Sequence, residues 1–422
     1  YRSLYSKVDG PVLSIRPVGL SVKEVPVQSP SISDFFSISN AVRLILQLTG
    51  RPVNLFFEPD SAVLRFFLDR LVERPLHCSE MSNLRVENEI DHSVDLCLPG
   101  GKLNQQSVGY SRQPLQNCKI PGHWPRKKQW NYWCIYDSEF LISLTVSNLD
   151  YAGVCFVYWL QRARDRFEEY TEIAPLGRGV AQGPTLDDPA GFQSGPMEMI
   201  FQREPGADDW LVQGTVKKKG QPVVEVDLRI HAPDETESLN VVVPWNLSEF
   251  QFTSKRFGLS AEGTIRTAAG EHHFRPETSF AVLDFGRGVW PYESKWNWAC
   301  GALRKGGRQI AWNLGAGWTD GTPSTENGIL VDGRLHKISE DVQFEFDRSN
   351  YRRPWRIYTP GSRTVDLTLT KEEERVAKSN LLLIKSEVHQ MIGKFSGSLR
   401  VAGETIQVQK GSGWAEDHIA RW

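Results

Sequence analysis

A period of two runs through most of this chain and constrains its fold more than any other feature. In Val224 to Ile230, the residues Val224, Val226, Leu228 and Ile230 point one way and Glu225, Asp227 and Arg229 the other. That pattern describes a strand with one buried face and one wet face. The alternation recurs at Val342, Phe344 and Phe346, at Val365, Leu367 and Leu369, and at Ile406 and Val408. Turn pairs lie between or beside these runs, at Lys219-Gly220, Ala269-Gly270, Asp332-Gly333 and Ala402-Gly403. Together they predict antiparallel hairpins. After Met81 the only stretch with helical character is Lys371 to Ser379, so alternating strand–helix architecture is disfavoured. A long antiparallel sheet has to hide its edges. The expected fold is therefore mainly β, closed into barrels or curled sheets.

The first 80 residues read differently. They hold three of the 35 glycines, Gly10, Gly19 and Gly50, and none of the 14 tryptophans, which fall between Trp124 and Trp422. They contain the Pro/Ser-rich stretch Val25 to Ser33 and two short helix-like runs, Ala41 to Leu48 and Ala62 to Val72. Neither run has the length or partners for a core. The expectation is that residues 1–80 are a poorly ordered or non-native extension upstream of a true start at Met81, the alternative being a genuine helical appendage. The apolar stretch Leu141 to Leu160 is long enough for a membrane span. However, Ser147, Asn148 and Asp150 interrupt it with turn chemistry, so two buried strands joined at Asn148 to Gly153 are expected.

A net charge of -2 and 24% charged residues give no global field toward nucleic acid or an anionic membrane. The basic runs Arg126-Lys127-Lys128 and Lys217-Lys218-Lys219 read as solvated loops. Cys78, Cys97, Cys118, Cys134, Cys155 and Cys300 are irregularly spaced and form no zinc pattern. With no secretory signal in the chain, reduced thiols and a cytoplasmic location are the default reading. The partner reading is accordingly no nucleic acid and no transmembrane segment, and the sequence leaves the oligomeric state open. No cofactor is implied, because Gly177-Arg178-Gly179 is too short for a dinucleotide fingerprint.

Dense clusters stand out after Met81. They include GYSRQPLQNC (Gly109 to Cys118), RKKQWNYW (Arg126 to Trp133), FTSKRFGLSAEG (Phe252 to Gly263), DFGRGVWPYESKWNWACG (Asp284 to Gly301), GTPSTENG (Gly321 to Gly328) and GSGWAEDHIARW (Gly411 to Trp422). In this order they resemble the bacterial family catalogued as domain of unknown function 2804, over about Glu87 to Trp422. That family is similar, more distantly, to lipocalin-like proteins such as the carotenoid 1,2-hydratases. The resemblance implies lipocalin-like (calycin-like) barrels in two packed halves, cut near 225 to 290, and an apolar ligand. It supports a pocket more than a reaction.

Candidate site residues come from the same clusters. Trp296 and Trp298 share a strand face. Each aromatic buries roughly 150–250 Å², on the order of 4–6 kcal/mol at about 25 cal/mol/Å². Core packing and a ligand wall therefore both explain them. Asp284, Trp290, Tyr292 and Glu293 surround Gly286 and Gly288. Asp284 is either a buried acid or the salt-bridge partner of Arg287. Glu326 and Asn327 sit in a polar run that can orient a ligand or satisfy backbone groups. His389, on the same strand face as Glu387, can act as an acid/base or be structural, as can His418 beside Glu416 and Asp417. The catalytic candidates are Glu326, His389 and Asp284. The ligand-binding candidates are Trp290, Tyr292, Trp296, Trp298, Asn327 and Trp414, with no metal ligand.

Three functions compete. The first is binding of an apolar or amphipathic small molecule, lipid- or isoprenoid-like, in an aromatic-lined cavity. The second, implied by the resemblance, is a hydratase or cyclase that protonates an alkene through a carboxylic acid. The third is a carbohydrate-binding or glycan-processing module.

Overall fold

The structure, a computed structural model, describes residues 85–422 apart from 165 and 382–383, together with three short strands ahead of them. Contacts divide the chain into Tyr1–Asn83 and Leu84–Trp422. In the first unit, Leu13–Ile15, Val42–Leu46 and Val53–Phe57 pair antiparallel. Val42–Leu46 lies inside the run read as helical from sequence. Its β-branched Val42 and Ile45 suit a pleated strand. The other helix-like run, Ala62 to Val72, the boundary at Met81 and Cys78 lie outside the described residues.

The second unit is antiparallel β almost throughout. Among the described residues there is no α-helix, and the only helical turns are Gln105–Ser107 and Arg162–Arg164. None is long and apolar enough to cross a membrane. Lys371 to Ser379, the weak helical stretch, belongs instead to the strand Val365–Leu381, whose partner supplies a register of sixteen residue pairs that a short isolated helix lacks. Leu141 to Leu160 divides as expected into Phe140–Asn148 and Ala152–Gln161. Val224, Val226, Leu228 and Ile230 are all buried in Gln221–His231.

Two sheets account for nearly all of this unit. The first, of 14 strands, runs from Arg166–Pro175 through Ala152–Gln161, Phe140–Asn148 and Lys127–Tyr136 to Phe280–Val289 and Phe250–Thr267, and on to Val180–Gln182. It curls back on itself. Gln182 at the far end donates to Asn131 Oδ1 (2.9 Å) and to the Val146 carbonyl (3.1 Å) near the other end. The second, of nine strands, begins at Glu293–Lys305 and includes Arg308–Ala316, Asn327–Val331, Val365–Leu381, Ile384–Val401 and Glu404–Arg421. The chain thus passes from one half to the other at Trp290 to Tyr292.

Three apolar clusters follow from this arrangement. One fills the inside of the first curl, with Trp133, Phe201, Trp210 and Phe252. Another fills the second sheet, with Trp312, Trp355, Leu367 and Phe395. The third lies between the halves and combines Tyr132, Tyr158 and Val282 with Trp290, Trp298 and Trp414. Strands bordering this third layer are buried on both faces. In Phe250–Thr267, Phe250 and Phe252 enter the first curl, so Gln251, Thr253 and Lys255 must point between the halves. That alternation positions the site.

Candidate functional site

Between the two halves lies a cavity of about 340 Å³. Its walls are largely aromatic. Trp290 stands at the centre of a group of indoles, with ring centroids 4.9 Å from Trp245, 5.3 Å from Trp318, 5.5 Å from Trp296, 5.8 Å from Trp422 and 6.0 Å from Trp130. Trp298 meets Tyr132 edge-on at 5.8 Å. Its N–H is satisfied by Asn313 Oδ1 at 2.8 Å, as a buried indole requires. Phe156, Val154 and Leu149 add further apolar wall.

Close packing explains two glycines near these rings. A Cβ on Gly286 would lie 2.1 Å from the Trp130 ring, so only glycine lets that indole lie flat over the strand. A Cβ on Gly315 would lie 2.0 Å from Glu326 Oε1. Gly315 makes the space in which the Glu326 carboxylate sits.

The polar groups in the wall form two sets. Lys255 and Asp284 are direct cross-strand partners, and their side chains pair at 2.9 Å. The same ammonium lies 3.3 Å from Glu326 Oε2 and 4.4 Å from the centroid of Trp298. Thr253 donates to Asp284 at 3.2 Å, and the Trp318 N–H donates to Glu326 Oε1 at 2.5 Å. Burial works against the Lys255 charge, but Asp284 and Glu326 outweigh it and hold the ammonium above the ordinary lysine range. Glu326 is 2% exposed, and this burial raises its carboxyl above the usual range despite Lys255. One ammonium cannot balance two carboxylates, and Glu326 bears that deficit.

The second set belongs to the other sheet. Glu416 faces Trp298 and Gln390 across its two neighbouring strands. It accepts from the Trp296 N–H (3.2 Å) and from Gln390 Nε2 (3.4 Å). Tyr158 donates to Gln390 Oε1 at 2.9 Å and pairs with the Tyr132 hydroxyl at 3.0 Å. His418 lies against Trp296 with centroids 4.0 Å apart and its Nε2 2.9 Å from Ser386 Oγ. Burial pushes its imidazole down to about 3, so it is neutral at ordinary pH. Arg375 is held by a two-pronged contact to Glu169 at 2.9 and 3.0 Å. Two buried hydroxyls in the wall, Thr145 Oγ1 and Tyr151 Oη, have no hydrogen-bond partner within the protein, and Glu326 Oε2 has only the Lys255 ammonium beside it.

Of the residues singled out from sequence, Glu326, Asp284, Trp290, Trp296 and Trp298 line this one cavity. Asp284 pairs with Lys255 and not with Arg287. Odd and even positions of Phe280–Val289 face opposite ways, and Arg287 turns into the first half to donate to Asn131 Oδ1 and the Trp130 carbonyl. His389 is placed elsewhere. Its neighbours Val388 and Gln390 line the cavity, so His389 and Glu387 point to the outer face, where the ring stacks on Tyr351 at 4.1 Å and contacts Glu374 and Glu387. Asn327 is fully buried and bonds the Gly315 N–H and the Glu340 carbonyl. Trp414 packs behind Trp298 at 5.3 Å. Tyr292 is half exposed beside Arg421, at 6.0 Å from ring to guanidinium.

Lys255, Gln390 and Arg375 were not singled out. The signal for Lys255 was present as the polar stripe Gln251, Thr253, Lys255 in an otherwise buried strand. On the far side of Trp296 is a cleft of about 270 Å³ that includes Arg348 and Asp417. Its buried carboxylate, Asp417, already takes bonds from Arg348, Tyr351 and Asn297, so its acceptors are used within the protein. Among the described residues no group of His, Cys, Asp and Glu is arranged to hold a metal ion. Cys97, Cys118, Cys134, Cys155 and Cys300 are buried free thiols.

The sequence profile of the family described as "Domain of unknown function (DUF2804)" matches residues 87–422. The chain belongs to this family. Its matched span holds every residue of the cavity described above. No curated protein matches the sequence. Among solved structures, the chain is similar to kievitone hydratase from Nectria haematococca, with 12% identity, 70% of this chain and 88% of that chain covered, and a TM-score of 0.43. It is also similar to CghA in complex with Sch210972, with 10% identity, 70% and 89% covered, and a TM-score of 0.45.

Proposed function

We propose that this DUF2804 domain binds an apolar or amphipathic small molecule in the cavity between its two halves. The observation that carries this reading is the cavity itself, an indole-walled space with a few converging polar groups, which is how small-molecule sites are built. The unpartnered hydroxyls of Thr145 and Tyr151 are available to a hydroxyl or carbonyl-bearing end of such a ligand, because buried polar atoms without partners are rare in folded proteins.

A second reading, acid–base chemistry on the bound molecule, is favoured by the Asp284–Lys255–Glu326 cluster. Burying three charges in an apolar wall is costly, and such clusters gather at catalytic sites. A glycan-processing role fits less well. Asp284 and Glu326 are bridged by a single ammonium at 2.9 and 3.3 Å, which occupies the space that a glycosidic oxygen would need between two working carboxyls.

Mass spectrometry of small molecules released from the purified protein tests the binding reading. A stoichiometric apolar or amphipathic compound is expected, and Trp298→Ala should lose most of it. Retention of a sugar or a charged metabolite, with no apolar compound, would overturn it.

A further inference from the structure

Four carboxyl groups line the cavity, and they differ in what neutralises them. Glu169 is paired with Arg375. Asp284 and Glu326 share the Lys255 ammonium. Glu416, 8% exposed, has no lysine, arginine or histidine nitrogen within ion-pair distance among the described residues. Its partners are neutral N–H groups, at 3.2 Å from Trp296 and 3.4 Å from Gln390. The Gln390 amide is fixed in that orientation, because its oxygen already accepts from Tyr158.

The charged groups around Glu416 are otherwise engaged. On its own strand, His418 is tied to Ser386 and stays neutral. On the adjacent strand Lys385 lies 3.4 Å from Glu387, and one strand further on Arg375 is clamped by Glu169. Across the cavity, Lys255 is shared by Asp284 and Glu326. The hydroxyls of Tyr132 and Tyr158 are raised by burial and remain protonated.

Resting on the binding reading above, we propose that Glu416, rather than Glu326, is the proton-donating acid of this site, and that its substrate is a neutral apolar molecule that becomes cationic on receiving the proton. In that step the Glu416 O–H bond breaks and the electron pair of an electron-rich π bond of the ligand forms the new bond to hydrogen. A neutral pair becomes an ion pair, with the positive charge on the ligand and the negative charge on the carboxylate. No oxidant or reductant is involved. Trp296 and Trp298 line the same cavity, and indoles stabilise positive charge. Burial pushes the Glu416 carboxyl up to about 7, against the Trp296 hydrogen bond and the distant charges of Arg375 and Lys255, which suits an acid working near neutrality.

The test uses two probes, octyltrimethylammonium as a stable cation and 1-octanol as its neutral counterpart, titrated by tryptophan fluorescence at pH 5.5 and 8.5. In the wild-type protein the cation should bind on the order of tenfold more tightly at the higher pH, when Glu416 is an anion. Octanol should bind equally at both. Glu416→Gln, checked for folding by circular dichroism, should abolish the pH dependence and keep octanol binding. Glu326→Gln should retain the dependence. A cation affinity that is the same at both pH values, or a dependence that survives Glu416→Gln and disappears in Glu326→Gln, overturns the assignment. If neither probe binds at either pH, the cavity-binding reading itself fails.

Discussion

Replacing Lys255 with methionine keeps an unbranched side chain one atom shorter and removes the one charge that holds Asp284 and Glu326 together. The ammonium lies 2.9 Å from one carboxylate and 3.3 Å from the other. At an effective dielectric of about 20 these separations correspond to about 6 and about 5 kcal/mol of Coulomb attraction. Desolvation of three charges offsets most of that in the intact protein. Removing only the cation leaves the desolvation cost of the carboxylates and deletes the attraction, for which a loss of about 3–5 kcal/mol in unfolding free energy is expected. The loss should depend on pH with a definite sign. Glu326, already raised by burial, rises further without Lys255, so the folded state takes up a proton that the unfolded chain releases. The penalty is therefore smallest below the ordinary carboxylate pKa and grows as pH rises toward neutrality and beyond. Urea unfolding of Lys255→Met and wild type at pH 5 and pH 8 measures it. A loss under about 1 kcal/mol, equal at both pH values, would refute the view that this cluster is a tightly coupled buried ion triad.

Two further outcomes follow from placement. His418, with its folded pKa pushed down to about 3 from an ordinary 6.5, leaves the unfolded chain as the better proton acceptor between those values. Stability should fall as pH drops through that window, and His418→Gln should lessen the acid-induced loss when unfolding is compared at pH 7 and pH 4.5. His389 stacks on Tyr351 on the outer face of its strand. Accordingly His389→Ala should cost about 0.5–1.5 kcal/mol of stability and leave octanol binding unchanged. A large loss of binding would place that ring in the cavity after all.

The alternation of Val224 to Ile230, the turn pairs and the lack of amphipathic helices determine an antiparallel β protein from sequence alone, because side chains in a strand alternate whatever the strand packs against. The same logic places Trp296 with Trp298 and Glu416 with His418 on shared faces. It fails only where local propensity stands in for partners, as at Ala41 to Leu48 and Lys371 to Ser379, where pairing with neighbouring strands overrides a weak helical preference. Periodicity states which residues share a face but not which way the face looks. Glu387 and His389 share one as expected, yet it turns outward, because Val388 and Gln390 face the cavity. The partner of Asp284 was decided in the same way. Arg287 is nearer in sequence, but its odd number sends it to the opposite side of the strand, and Lys255 arrives from the adjacent strand at matching register. Cavities and buried charge clusters form between elements far apart in the chain. Their existence depends on how two sheets meet, which one-dimensional spacing does not record.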